Sequence, residues 1–204
     1  MNPALAFDAA AHRYTLAGVE IPSVTQIIGS CGFYEFPFVS PEQLAAKAQL
    51  GQDVHLATAL YDHGTLDLTT LSEEVLYHFE GWVRFRSDHP ELEILDIESK
   101  IFHPQLGYAG MLDRVLGSDR HGNIVKRIIA DIKIGMELPA AKMQTVAYEK
   151  GYNAIRQPLE HATQRVSIHL PGNGKYHIVH HKGADDFRAF TACLQLFKWR
   201  NENV

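Results

Sequence analysis

Cysteine is scarce in this chain: Cys31 and Cys193 are the only two in 204 residues and stand far apart in the sequence. Two such thiols do not make a disulfide scaffold, and their spacing predicts reduced cysteines in a cytosolic protein. No run approaches the ~18 apolar residues that cross a bilayer, so no membrane span is predicted. The opening residues Met1-Asn2-Pro3-Ala4 lack the basic stretch and long apolar core of a signal peptide, which again predicts a cytoplasmic location. There is no Gly-x-Ser-x-Gly, so a serine-hydrolase reading has nothing to stand on. Low-complexity linkers and internal repeats are missing too. Basic charge is in deficit, with 19 Lys and Arg against 24 Asp and Glu and a net charge of −5. That balance gives no support to nucleic-acid binding, where phosphate attraction is the usual source of affinity.

What is present reads as one mixed α/β domain spanning 1–204. At 46% hydrophobic the chain can bury a single sizeable core. Residues 1–40 read as an N-terminal hairpin and loop, and 41–204 as the core. A hairpin over 5–22 turning at Ala17-Gly18 leads to a short helix capped by Ser23. Ser40-Pro41-Glu42-Gln43 has the pattern of a capping box with proline in the first turn, starting a helix that reaches about Asp62 and carries His55. A second helix is predicted over 72–87 and a third over 139–154. A strand at 165–170, a turn at Pro171-Gly172-Asn173-Gly174, a strand to His181 and a helix from about Asp185 complete the order.

The densest chemistry lies between Glu98 and Tyr148. Three antiparallel strands are predicted at 95–102, 108–117 and 124–133, separated by turn formers at 103–107 and 118–123. A turn centred between Gln105 and Leu106 puts Glu98 opposite Asp113. A turn centred on Gly122 puts Asp113 opposite Asp131. Opposite residues share a face on strands about 4.8 Å apart. Three carboxylates would thus stand in a row, with Lys133 two residues beyond Asp131 on the same side. Like charges this close need a cation among them. Ile128, Ala130, Ile132 and Ile134 alternate with these groups and predict a wholly apolar opposite face. Carboxylates holding a divalent ion beside an ammonium group are what metal-assisted phosphodiester cleavage requires.

Gly110-Met111-Leu112-Asp113, then Ile129-Ala130-Asp131-Ile132-Lys133, then Gln144 and Tyr148 resemble the motifs of the PD-(D/E)XK nuclease superfamily. The branch they resemble is the RecB-like and phage (lambda-type) exonuclease group. Gly51-Gln52-Asp53-Val54-His55 is similar to that branch's helical histidine motif. His12-Arg13-Tyr14 with 22–28 resembles its N-terminal hairpin and helix, and 165–170 with the final helix resembles its closing unit.

The resemblance implies a restriction-endonuclease-like core and a Mg²⁺ or Mn²⁺-dependent deoxyribonuclease. The implied activity is an exonuclease at duplex ends in phage or prophage recombination or repair. A structure-selective endonuclease and a non-catalytic DNA-binding or inhibitory protein are the alternatives. His55, Glu98, Asp113, Asp131 and the backbone carbonyl of Ile132 would be metal ligands, Lys133 the catalytic cation. Gln144 and Tyr148 would contact DNA or orient Lys133. DNA is the implied partner, and a single-strand annealing protein and a homo-oligomeric ring are partners known among relatives.

Departures from the pattern also matter. Leu50 stands where members of this branch often carry Arg, which weakens the case for a phosphate contact there. Two cysteines exclude an iron–sulfur cluster held by one chain. Other candidates are weaker. His180 and His181 alternate to opposite strand faces, which disfavours a zinc cluster with His177. Gly172-Asn173-Gly174 joins two strands and reads as a hairpin turn rather than a phosphate loop. Phe33, Tyr34, Phe36 and Phe38 read as a packed lid or as rings for stacking on frayed bases.

Overall fold

Ser23 and Ser40 begin the two N-terminal helices by the same device. Each hydroxyl accepts the main-chain N–H three residues on, and the glutamine there, Gln26 or Gln43, accepts the serine's own N–H. Two end donors that would lack partners are satisfied at once. The computed structural model, which describes residues 5–8, 11, 13–34, 38–120 and 123–203, shows these as α1 (Val24–Gly29) and α2 (Pro41–Asp62). The helices α3 (Glu73–Asp88), α4 (Ala140–Asn153) and α5 (Asp186–Asn203) follow, with single 3-10 turns at Leu68–Thr70 and Pro158–Glu160.

Among the described residues, eight strands form two sheets. The N-terminal segment is a three-strand antiparallel sheet, β1 (Leu5–Asp8), β2 (Arg13–Leu16) and β3 (Val19–Ile21), where a single hairpin was expected. The Ala17-Gly18 turn joins β2 to β3, with both residues at positive φ, and β1 adds on the other side of β2. His12 of the expected hairpin lies outside the described residues. The main sheet runs β4 (Leu92–His103), β5 (Tyr108–Arg120), β6 (Asn123–Lys133), β7 (Ala162–His169) and β8 (His177–His180) in that order. The first three are antiparallel, β7 runs parallel to β6 after the α4 crossover, and β8 returns antiparallel. The mixed α/β architecture matches the sequence expectation.

Both faces of the main sheet are covered. Leu116, Ala130, Ile132 and Ile168 pack against Trp82, Phe79 and Phe85 of α3 and Val54 of α2. Val115 and Ile129 pack against Ile27 and Ile28 of α1, Ala147 of α4 and Phe190 of α5. The predicted apolar face of β6 is found, with Ile128, Ala130, Ile132 and Ile134 in one cluster. On the other face, beside Asp131 and Lys133, Ile129 is fully buried. A parallel pair brings its crossover helix onto the sheet, and that helix covers the second face. Leu50 packs at the edge of the first of these clusters, so its position serves the core.

The register places the chemistry. Ser99 pairs with Leu112 and Ile97 with Arg114, which sets Glu98 across from Asp113. Arg114 pairs with Ala130, and the next step sets Asp113 across from Asp131. At this point the regular alternation breaks. Gly110 and Leu112 face the α1 and α4 side, whereas Arg114 lies under Trp82 and Leu116 joins the α3 side. Glu98, on the neighbouring strand, takes a left-handed φ of 48°. Such a backbone is costly for a residue with a side chain and is found where structure over-determines it.

Candidate metal centre

Three elements converge at this irregularity. His55 comes from α2, Glu98 from β4 and Asp113 from β5, and one ligand atom from each lies within 4.8 Å of the others. His55 Nδ1 is 3.3 Å from Asp113 Oδ1. The other carboxylate oxygen of Asp113 accepts the main-chain N–H of Ile132 at 2.6 Å. One imidazole and two carboxylates make a donor set that could hold a divalent cation, with oxygen ligands suiting Mg²⁺ and the imidazole favouring Mn²⁺. The group opens onto a cleft of about 800 Å³ whose walls include Thr25, Tyr34, Gln52, Leu56, Met111 and Lys133.

Asp131 departs from the expected row. Its side chain is 2% exposed and its Oδ2 lies 2.9 Å from Lys133 Nζ, so it pairs with the lysine instead of joining the other three groups. Lys133 also donates to Gln144 Oε1 at 3.0 Å, and Gln144 Nε2 donates to the Tyr148 hydroxyl at 3.0 Å. Gln144 and Tyr148 are buried, one helical turn apart on α4, and act on the lysine from behind. Gly110 makes room for this: a Cβ there would sit 2.7 Å from the Tyr148 ring. The main-chain N–H of Ile132 is directed at Asp113.

The charges are strongly coupled. Burial, reinforced by Asp113, pushes Glu98 up to about 7. Burial likewise pushes Asp131 up to about 6, with Lys133 drawing it back and Asp113 adding to the rise. Burial would raise Asp113 as well, but His55, Lys133 and the Ile132 amide outweigh it and hold Asp113 below its ordinary value. Burial opposes the charged forms of His55 and Lys133, yet the neighbouring carboxylates win and both are raised. Two carboxyls raised chiefly by burial, with Asp113 adding to both, mark a place where bound positive charge would be favourable.

Of the aromatic loop, Tyr34 lines the cleft, while Phe33 is 41% and Phe38 98% exposed. Phe36 lies outside the described residues. Ser167 bonds the buried His181, whereas His180 is exposed, and no ligand group other than His55, Glu98 and Asp113 is found among the described residues. Arg114, Thr58 and Asp62 were not anticipated at the site. The signal was there: His55, Thr58 and Asp62 follow an i, i+3, i+7 spacing that puts them on one helix stripe.

No family model matches the chain, and no curated protein matches it. A solved structure described as "Crystal structure of SSO0001" aligns over 74% of this chain and 84% of its own, at 13% identity and a TM-score of 0.30. That likeness carries no argument for fold or function. Among the described residues no helix is long and apolar enough to cross a membrane.

Proposed function

We propose that the protein is a Mg²⁺ or Mn²⁺-dependent deoxyribonuclease that hydrolyses phosphodiesters at the ends of duplex DNA. One observation carries the reading: His55, Glu98 and Asp113 converge within 4.8 Å on a cleft that also presents Lys133. A divalent cation held by those three residues would supply a Lewis acid for the phosphate oxygens. Lys133 is kept protonated by its carboxylate neighbours, so it serves as a hydrogen-bond donor to the charge that builds on phosphate rather than as a base. An ammonium has three donors, and Asp131 and Gln144 engage two sides of it, leaving one for a ligand. Gln144, itself held by Tyr148, fixes the direction of that remaining donor. The arrangement of Asp113, Asp131, Lys133, Gln144 and Tyr148 also follows the order of the nuclease motifs that the sequence resembles.

End-labelled linear duplex and covalently closed circles, each incubated with Mg²⁺, test the mode of attack. The expected result is degradation of the linear duplex from its ends with the circles spared, and affinity that falls with salt as backbone contacts are screened. Rapid nicking of the circles, absent in Asp131→Asn, would replace this reading with a structure-selective endonuclease. Tight DNA binding with no cleavage in either Mg²⁺ or Mn²⁺ would replace it with a binding or inhibitory protein.

A further inference from the structure

The three candidate ligands sit on separate elements: the β4–β5 register sets Glu98 across from Asp113, whereas His55 comes from a helix outside the sheet. Arg114 meets all three elements. Its side chain is 0% exposed and lies with its guanidinium carbon 5.3 Å from the centre of the Trp82 ring. Nε donates to Asp62 Oδ2 at 2.7 Å and Nη2 donates to Thr58 Oγ1 at 3.1 Å, both on α2. Nη1 donates to the main-chain carbonyl of Asp113 at 2.6 Å and reaches Glu98 Oε1 at 3.5 Å. The indole N–H of Trp82 donates to the other oxygen of Asp62, which keeps that carboxylate facing the guanidinium.

Thr58 and Asp62 lie on the same stripe of α2 as His55, so grasping them fixes both the rotation and the axial position of the helix that presents the imidazole. The other edge of the same planar group holds the Glu98 carboxylate and the backbone beside the Asp113 side chain. Only a rigid fork can do both, because an ammonium is a single point with no fixed plane. An ion pair kept solely for stability has no such requirement, since well-packed apolar residues often replace one without loss.

We infer that Arg114 is a positioning residue: it clasps α2 to β4 and β5 and thereby sets the His55–Glu98–Asp113 spacing on which divalent-cation affinity depends. The inference rests on reading that group as a cation site, and it is independent of whether DNA is the substrate. Groups that orient metal ligands from behind typically change affinity by roughly 10–100-fold when altered.

The test is calorimetric titration of the full chain with Mn²⁺ alone, free of DNA. Arg114→Lys keeps the charge opposite Asp62 but loses the fork, and Mn²⁺ affinity should fall by roughly 10–100-fold. Thr58→Val removes one acceptor and should weaken Mn²⁺ in the same direction by less. Val75→Ala, in the apolar cluster on the same side of the sheet, should lower the melting temperature through lost packing yet bind Mn²⁺ as the wild type does. If Arg114→Lys does not fold, Thr58→Val decides. Wild-type Mn²⁺ affinity in Thr58→Val and in any folded Arg114→Lys would overturn the inference, and so would a loss in Val75→Ala as large as theirs. Wild-type protein that binds Mn²⁺ without cleaving DNA would remove the nuclease reading and leave the role of Arg114 standing. Wild-type protein that binds no Mn²⁺ would overturn both.

Discussion

Asp62 and Asp131 are buried to the same degree, each with a side chain 2% exposed and each paired with a cation, yet they are built for opposite ends. Asp62 is closed on every side: Arg114 at 2.7 Å, Trp82 at 3.2 Å and Arg86 at 3.8 Å surround it, and Arg114 has no contact with solvent. Asp131 has a partner whose side chain remains 28% exposed at the cleft wall, and its carboxyl is pushed up to about 6. A pair whose cation has no access to solvent can only hold structure. A pair whose cation stands at a cleft wall can act on whatever enters it. Burial of the carboxylate alone therefore does not separate a structural ion pair from a functional one; the access of its cation to the cleft does.

The largest effect that would break this comparison is on stability. Asp62→Ala leaves Arg114 buried without its carboxylate, and the expected loss is about 3–5 kcal/mol by urea unfolding. A loss of about 1 kcal/mol or less, the range of an exposed ion pair, would erase the distinction. Lys133→Ala should behave in the reverse way. It should leave Mn²⁺ binding in place while turnover drops by roughly 10²–10³, as expected for a lost transition-state donor. Cleavage at close to the wild-type rate would show that the open pair is not part of the chemistry.

A smaller effect sharpens the comparison through pH. In the metal-free protein Glu98 is raised to about 7 and Asp131 to about 6. A raised carboxyl keeps its proton longer folded than unfolded, so stability falls as pH climbs from the ordinary carboxylate range to about 7. His55, also raised, contributes stability that is present below its ordinary value of 6.5 and lost as pH rises through its folded value, in the same direction. Asp113, which is lowered, contributes stability lost only at the acid end, below this window. His181, lowered to about 4 by burial, contributes in the opposite direction over the same interval, so the site's share is read as a difference: in EDTA the melting temperature of wild type should fall more steeply with pH than that of Glu98→Gln. A steeper fall in Glu98→Gln would mean that the coupling at the site runs the other way.

Much of this was legible in the sequence, for reasons tied to local chemistry. Turn formers at 103–107 set the register that brings Glu98 opposite Asp113, and the serine–glutamine pairs at 23–26 and 40–43 marked two helix starts. Gln144 and Tyr148 were visible because a helical turn fixes their spacing. The withdrawal of Asp131 was not, because it depends on how Lys133 folds back, and a strand pattern carries no rotamer. The left-handed Glu98 and the switch of face along β5 also escaped, since alternation assumes a regular backbone. Arg114 was hidden for a different reason. Its partners Thr58 and Asp62 lie more than fifty residues away and meet it only once α2 crosses the sheet.

Melting of the purified, metal-free chain with and without millimolar Mn²⁺ decides whether His55, Glu98 and Asp113 hold a divalent cation. Mn²⁺ should clearly raise the melting temperature, because a ligand bound only by the folded state stabilises it, and should not do so in Asp113→Asn. The rise should grow with pH, since protons compete with the ion for the same three groups. A wild-type melting temperature indifferent to both Mn²⁺ and EDTA, or an equal shift in Asp113→Asn, would contradict a cation site there.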